Sequence, residues 1–378
     1  MISQNCHEGK YTAAIYLDIA KAFDTCDHDI ILEKLSIYGV RGPQHAWFKS
    51  FLSNRTQKVK VGCSWSGKYQ PVPIGVPQGS VLGVLLFLVY INDLPNATKF
   101  YVDMYADDGT ATFSNTDPNI LESECNKELG SLIDWFSCNR LSLNVSKTHA
   151  IIFSPTLGRS PRLNLAIPTN SGSIGINQVP NKDNKSVKSL GLLIDERLTL
   201  KSYVDHIIKQ MNKSLFFLRR VKRVITLEAM KLLYYSHIHS HLLYCLPLFT
   251  LMYRTDLSRL CRVHRKAVKI VYDRNPRSSC DELFHDLGTF PLDILLEKEI
   301  LKIMHNIHSY RKPPELARFF SSRIVSHQYE FRDTLAFHTP LIKSIRLSAT
   351  PIYSFPYIFN HFKENFKEIM ERSIFTEK

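Results

Sequence analysis

Long apolar runs are scarce in this sequence. The longest, Val81–Ile91 (VLGVLLFLVYI), has 11 residues, about half of what a bilayer-spanning helix needs. Met1–Lys10 is polar and lacks the hydrophobic stretch of a signal peptide. No CxxC pair occurs, and the eight cysteines are scattered over 378 residues, as free thiols are in a reducing compartment. Internal repeats and low-complexity tracts are also missing. These absences argue against a membrane partner and for an intracellular protein, of cytoplasm and nucleus.

Acidic charge is in short supply, but only in one half. The chain has 48 Lys+Arg against 35 Asp+Glu, a net of +13. Residues 1–195 hold 18 basic and 17 acidic residues, whereas residues 196–378 hold 30 and 18, so the second half carries +12 of the excess. With 44% apolar and 22% charged residues the chain is an ordinary folded protein rather than a disordered or fibrous one. The excess of positive charge points to a polyanionic partner. Its distribution points to two jobs, chemistry with carboxylates in one half and holding of a polyanion in the other.

Lys10–Asp18 (KYTAAIYLD) reads as an apolar strand ending in a carboxylate, and Asp27–Val40 as a helix stopped by Gly39 and Gly42-Pro43. Residues 55–74 alternate and are broken by Gly62 and Gly67 into a hairpin. Pro77-Gln78-Gly79-Ser80 opens a buried helix from Val81 to Asp93, with Ser80 as N-cap. Two alternating strands, 100–105 and 109–114, meet at Ala106-Asp107-Asp108; a helix over 120–139 and a strand over 150–153 follow. Residues 155–188 read as loops or a weak hairpin. From Leu200 the pattern is helical: 200–221 with an apolar stripe through Val204, Ile207, Ile208, Met211, Leu215, Leu218 and Val221, then 227–246, 256–272 and 292–309. The last fifty residues are aromatic and basic without clear period.

Asp18 stands at a strand end, and Asp107 and Asp108 are adjacent at a hairpin turn. Neighbouring carboxylates repel, so such a group is costly near a core unless cations neutralise it. Oxygen-rich sites of this kind suit Mg²⁺, and two ions would serve in-line phosphoryl displacement. Taken alone, Asp107-Asp108 reads as a solvated β-turn.

The surrounding segments add to this. YLDIAKAFDTCDHDIILEKL (16–35), GVPQGSVLGVLLFLVYINDL (75–94), YADD (105–108), LSLNVSKTHAIIF (141–153) and SLGLLID (189–195) occur in that order. Together they resemble the palm motifs of reverse transcriptases of non-LTR (LINE-type) retrotransposons, particularly jockey-like ones, from about residue 11 to 225. The resemblance continues more loosely through 260–273 and 290–308. It implies an α+β fold: a right-hand palm with an antiparallel sheet and packed helices over 1–198, a helical thumb-like region over 199–275, and a helical C-terminal region of unassigned role over 276–378.

The resemblance also implies roles. Asp18, Asp107 and Asp108 would bind two Mg²⁺ ions, with Mn²⁺ as the other candidate metal. Phe23 would close over the sugar of an incoming dNTP and reject a 2′-hydroxyl; the lesser reading of this residue is a core aromatic at the start of a helix. Gln78 and Gly79 would contact nucleotide and template, and Lys147 would sit near the pyrophosphate leaving group, unless it is simply a solvated lysine. Leu190-Gly191 would form the primer grip. Asp24 reads as a helix cap. The implied partners are an RNA template, a DNA primer or target site, and dNTPs. Val84 replaces a proline usual in the family, and the fingers region expected before the first palm motif has no counterpart ahead of Lys10, which implies an N-terminally truncated polymerase. Two other readings stay open: a remnant that only binds nucleic acid, and a basic helical scaffold for protein contacts.

His237, His239 and His241 form HxHxH, and Cys261 and His264 are followed by Cys280 and His285, a loose echo of a zinc site. Both lie in helical stretches, where HxHxH spreads its side chains around the helix. Arg219-Arg220-Val221-Lys222-Arg223 ends an amphipathic helix, where basic residues complement the helix dipole; a phosphate-contacting face suits it better than a localisation signal.

Overall fold

The structure, a computed structural model, describes residues 1–156, 160–169, 172–181, 185–275, 277–320, 337–340 and 348–362. Much of the expected C-terminal region 276–378, including most of its last fifty residues, therefore lies outside the described residues. The chain divides between Leu192 and Leu193 into two compact units, apart from a few residues at the N-terminus.

The first unit is built on an apolar strand. After a short helix α1 (Ile2–His7), β1 (Tyr11–Asp18) runs through the middle of a five-stranded sheet. Helices α2 (His28–Ile37) and α3 (Gly42–Leu52) follow. Asp27 caps α2 by accepting from the N–H groups of Asp29 and Ile30, as its place ahead of the apolar positions predicts. The Gly42-Pro43 pair does not merely stop α2: it opens α3, because proline in a first helical turn gives up an N–H that would have no partner there.

Four two-residue strands, β2 (Thr56–Gln57), β3 (Lys60–Val61), β4 (Ser64–Trp65) and β5 (Gln70–Pro71), make a nested, exposed hairpin. Helix α4 (Val81–Ile91) starts at Ser80, whose hydroxyl accepts from the Gly83 N–H at 2.9 Å. The expectation of a buried helix is corrected here. Gly83, Leu86, Phe87, Tyr90 and Ile91 are buried, but Val81, Val84, Leu85 and Leu88 are exposed. A helix packed on one side buries one stripe, however apolar its other residues are.

Strands β6 (Tyr101–Tyr105) and β7 (Asp108–Asn115) form the next hairpin, followed by α5 (Pro118–Cys138) and β8 (His149–Phe153). The region read as loops or a weak hairpin holds a hairpin of β9 (Ala166–Thr169) and β10 (Gly172–Gly175). It also holds β11 (Asn177–Val179), which pairs in parallel with β8. Three residues are too few for a periodic signal, so this pairing is tertiary in origin. The sheet order is β11-β8-β1-β7-β6, antiparallel except at β11. Ala13, Ile15 and Leu17 of β1, at every second position, join one core with Ile31 and Leu35 of α2, Leu86 and Phe87 of α4, and Leu121 and Leu129 of α5. A last hairpin, β12 (Val187–Ser189) and β13 (Leu192–Ile194), stands where one unit gives way to the next.

The second unit is helical. It contains α6 (Lys201–Val221), α7 (Leu227–Tyr234), α8 (Ser240–Leu243), α9 (Arg254–Val271), α10 (Asp281–Leu287), α11 (Leu292–Tyr310), α12 (Pro314–Ala317) and a helix over Pro351–Phe362. The stripe read over 200–221 is buried at Val204, Ile207, Met211, Leu215 and Leu218, while Ile208 and Val221, at its edges, are only half-buried. The single helix expected over 227–246 is instead divided by a wider π-type turn at Tyr235–His239, and it ends before Cys245, whose φ is 54°. Helix α9 packs against α6, α7, α10 and α11. The molecule is thus mixed α+β, and no described helix is long and apolar enough to cross a membrane.

Candidate active site

The three carboxylates come together through strand register. Asp18, the last residue of β1, pairs across the sheet with Asp108, the first of β7, and Leu17 pairs with Gly109. Asp107 lies in the β6–β7 turn beside Ala106, whose φ of 52° is left-handed. An alanine in that region costs on the order of 1 kcal/mol, and the flanking strand pairs hold it there. At Gly109 a Cβ would stand 2.9 Å from Met104 Sδ, so a larger residue there would make the flexible Met104 side chain shift. Burial, then the charges of Asp107 and Asp18, push the Asp108 carboxyl above its usual range. The strand ends thus concentrate negative charge.

One flank of the site is the segment 142–148. Ile19 bridges Leu143, the Ala20 N–H donates to the Ser142 carbonyl at 2.9 Å, and the Asn144 N–H donates to the Asp18 carbonyl at 2.7 Å. The chain then turns, with the N–H groups of Lys147 and Thr148 donating to the Asn144 carbonyl. This brings Lys147 Nζ to 4.0 Å from Asp18 Oδ2. The lysine is largely exposed, so the pair adds little to stability and leaves the ammonium accessible.

The other flank is the segment 21–28 strapped to 75–79. Lys21 takes a left-handed φ of 49° and leads into a short 3-10 turn, Ala22–Asp24. The Phe23 carbonyl accepts from the Val76 N–H at 2.8 Å, and that of Cys26 from the Gly75 N–H at 2.7 Å. His28 Nε2 lies 2.8 Å from the Gly75 carbonyl oxygen. Gly75 has φ 87°, and a Cβ there would stand 2.8 Å from the Asp24 carbonyl oxygen, so only glycine permits this approach. Asp24 is not a helix cap, as read from the sequence: its carboxylate accepts from Gln78 Nε2 at 2.8 Å, while Asp27 does the capping. Phe23 is half-buried, its ring centroid 4.5 Å from that of Phe87. It is therefore a packed aromatic that also faces the cleft.

Asp18, Asp107, Phe23, Gln78, Gly79 and Lys147 all line one cleft of about 660 Å³. Asp108 faces Asp18 in register but does not line it. Leu190 and Gly191 are elsewhere, in the β12–β13 turn, with left-handed φ of 45° and 83°. Lys21 and Asn144 also line the cleft. Neither was singled out from the sequence, although both lie inside the quoted motifs, because a lone lysine or asparagine there carries no charge or periodic signal. Among the described residues no three His, Cys, Asp or Glu side chains close into a metal cage. An open set of carboxylates nonetheless fits Mg²⁺, which takes one or two carboxylates and completes its shell with water and substrate phosphates.

The histidine and cysteine patterns resolve differently. His264 is fully buried with Nε2 2.6 Å from the Tyr234 hydroxyl, Cys280 donates to the Arg265 carbonyl, and His285 is exposed beside Asp286.

A family model described as reverse transcriptase (RNA-dependent DNA polymerase) matches residues 2–194. The probable RNA-directed DNA polymerase from transposon BS of Drosophila melanogaster is 27% identical over 284 residues, covering 72% of this chain and 30% of that protein. The RNA-directed DNA polymerase from mobile element jockey of the same species is 27% identical over 207 residues, 52% of this chain and 21% of that protein. Its counterpart from Drosophila funebris is 24% identical over 290 residues, 72% of this chain and 30% of that protein. The chain thus spans 30% or less of the length of these relatives. Among solved structures, telomerase from Candida albicans in complex with a fragment of telomeric RNA aligns at 13% identity with a TM-score of 0.31, covering 84% of this chain and 51% of that one.

Proposed function

Because the chain belongs to the reverse transcriptase (RNA-dependent DNA polymerase) family, we propose that its cleft is the nucleotidyl-transfer site of an RNA-directed DNA polymerase. A primer 3′-hydroxyl would attack the α-phosphate of a dNTP paired to an RNA template, and pyrophosphate would leave. The observation that carries this reading is the convergence of Asp18, Asp107, Lys147, Phe23 and Gln78 on one cleft. On this reading residues 1–198 are the palm and 199–275 a thumb-like region.

Asp18, Asp107 and Asp108 would hold the divalent metal, Mg²⁺ as a pair of ions or Mn²⁺ in its place, which supplies Lewis-acid stabilisation of phosphate oxygens. Burial and the charges of Asp107 and Asp18 raise the Asp108 carboxyl, a cost that a bound cation would relieve, and this supports that assignment. Lys147, beside Asp18, would stabilise or protonate the departing pyrophosphate. Phe23, backed by Phe87, would present a fixed ring where a ribose 2′-hydroxyl would otherwise stand. Gln78, held by Asp24, and Gly79, with open space around its Cα, would let the template and nucleotide approach the backbone. Leu190 and Gly191, at an exposed tight turn, would support the primer end.

Primer extension on an RNA template with Mg²⁺ and dNTPs tests the reading. Asp107→Asn is expected to lower incorporation by about a thousandfold or more, with folding, followed by circular dichroism, retained. Incorporation that is absent from the unmodified chain, or indifferent to Asp107, would overturn it.

A further inference from the structure

Four side chains that can donate hydrogen bonds line the cleft: Lys21, Gln78, Asn144 and Lys147. Three of them are engaged or unanchored. Gln78 Nε2 is bonded to Asp24, Lys147 stands 4.0 Å from Asp18, and Lys21 is exposed on a flexible stem. Asn144 differs from all three. It is uncharged and half-buried, and its backbone is held on both sides. Its N–H donates to the Asp18 carbonyl at 2.7 Å, and its carbonyl accepts from the N–H groups of Lys147 at 3.1 Å and Thr148 at 3.0 Å. The Thr148 hydroxyl donates to the same carbonyl at 3.0 Å. Thr148 is fully buried, so the turn is anchored in the core.

The carboxamide is oriented as well. The Ser146 hydroxyl donates to Asn144 Oδ1 at 2.7 Å and so occupies the accepting end. The donating end, Nδ2, carries two N–H groups and has no hydrogen-bond partner among the described residues. Forming the turn does not require those donors, because aspartate serves a turn of this kind as well as asparagine does. Free, fixed N–H groups in a cleft suit a ligand with exposed anionic oxygens. The neighbours narrow the choice: Asp18, a candidate metal ligand, lies on one side of the turn and Lys147 on the other.

We propose that Asn144 is a substrate-contacting residue of this cleft, its Nδ2 donating to a non-bridging oxygen of the phosphate tail that departs as pyrophosphate. The proposal rests on the nucleotidyl-transfer reading and adds a neutral, fixed donor to the charged Lys147. The two groups act differently. An ammonium on a four-carbon stem follows the charge wherever it moves. A donor set in place beforehand stabilises charge as it develops on the leaving oxygens, without reorganising at the moment of reaction.

The test pairs binding with catalysis on the full chain. Isothermal titration calorimetry uses inorganic pyrophosphate with Mg²⁺ as the probe, and primer extension on an RNA template gives kcat and KM for dTTP. Asn144→Asp keeps the shape, the Ser146 bond and the turn, but sets an anionic oxygen where Nδ2 stands. Asn144→Ala removes the donor without adding charge. Gln44→Glu, exposed on α3 and outside the cleft, makes the same change in net charge as Asn144→Asp. Both Asn144 variants should weaken pyrophosphate binding by about tenfold or more and lower kcat/KM for dTTP by about a hundredfold. Asp should be at least as damaging as Ala, with circular dichroism unchanged and Gln44→Glu close to the unmodified chain. Asn144→Asp that binds pyrophosphate as the unmodified chain does would overturn the proposal and leave Asn144 a turn residue. An unmodified chain that binds no magnesium pyrophosphate would overturn it too. If dTTP is not incorporated and yet both variants weaken pyrophosphate binding, the phosphate contact stands and the polymerase reading fails.

Discussion

Phe23 shows how much a single residue can carry. Its ring is held against Phe87 and its carbonyl is tied to the Val76 N–H, so the face turned to the cleft is a rigid one. Rigidity is what steric exclusion requires, because a mobile ring would yield to one extra hydroxyl. Phe23→Val should therefore narrow the preference for dCTP over CTP by about 10- to 200-fold, read as the ratio of the two kcat/KM values, with incorporation of dCTP retained. An unchanged ratio would place sugar selection on another residue. At this scale the sequence was informative about position wherever a motif supplied context: Asp18, Asp107, Phe23, Gln78 and Lys147, named from separate motifs, line one cleft. The partner of Asp24 was not legible. Nothing within residues 20–30 indicates that its carboxylate holds a glutamine 54 positions further on, because a hydrogen bond between distant segments leaves no local pattern.

Among the elements, α4 makes the sharpest case. Glycine inside a helix ordinarily costs about 0.5–1 kcal/mol relative to alanine. At Gly83, however, a Cβ would press on the Pro77 carbonyl oxygen and lie 2.9 Å from the capping Ser80 hydroxyl. At Gly130 in α5 a Cβ would meet nothing within 4 Å. The two substitutions should therefore have opposite signs. Gly130→Ala should stabilise the protein by about 0.5–1 kcal/mol, whereas Gly83→Ala should destabilise it and disturb the 75–80 loop, as thermal melts and primer extension would register. A stabilising Gly83→Ala would mean that the loop relaxes freely. Long elements with a strong period, α2, α5, α6, α9 and α11, were legible from sequence, as were β1 and the β6–β7 hairpin. The short ones were not: α3 was hidden behind a Gly-Pro pair read as a stop, and α10 and β11 lack enough residues to show a period. The exposed side of α4 was missed because composition reports how apolar a helix is, not how many sides the fold covers.

For the whole molecule, the two units should respond differently to acid. His264 lies fully buried in the second unit, and burial pushes its pKa down to about 3. In the unfolded chain it titrates near 6.5. Its folded value is depressed, so its contribution is complete above about pH 6.5 and is lost as pH falls toward 3, by about 1.4 kcal/mol per pH unit. Burial lowers His239 and His241 in the same sense; burial raises Glu297, which works the other way and gains as pH falls toward 4.5. In the first unit, burial would raise Asp27, but the N–H groups of Ile30 and Asp29 and the Arg140 guanidinium outweigh it and hold the carboxyl below its usual range. That contribution is lost only below about pH 4. All three tryptophans, Trp47, Trp65 and Trp135, belong to the first unit. Between pH 7 and 5, far-ultraviolet circular dichroism, which reports both units, should thus lose stability ahead of tryptophan fluorescence, by about 2 kcal/mol at pH 5. His264→Gln should reduce the gap. Coincident transitions at every pH would refute it.

The sequence by itself determined the family, the ordered carboxylate motifs, the uneven charge and the strongly periodic elements, because each is written in residues close together along the chain. Only the tertiary structure decided which of those residues share a space. Strand register sets Asp18 opposite Asp108, backbone bonds to Asn144 bring Lys147 to Asp18, and a glycine strap couples Gln78 to Asp24. The basic excess of the second half likewise gathered into one groove only when α6 packed on α9. Charge is a property of composition, whereas a groove requires two faces brought together, and packing alone supplies the second.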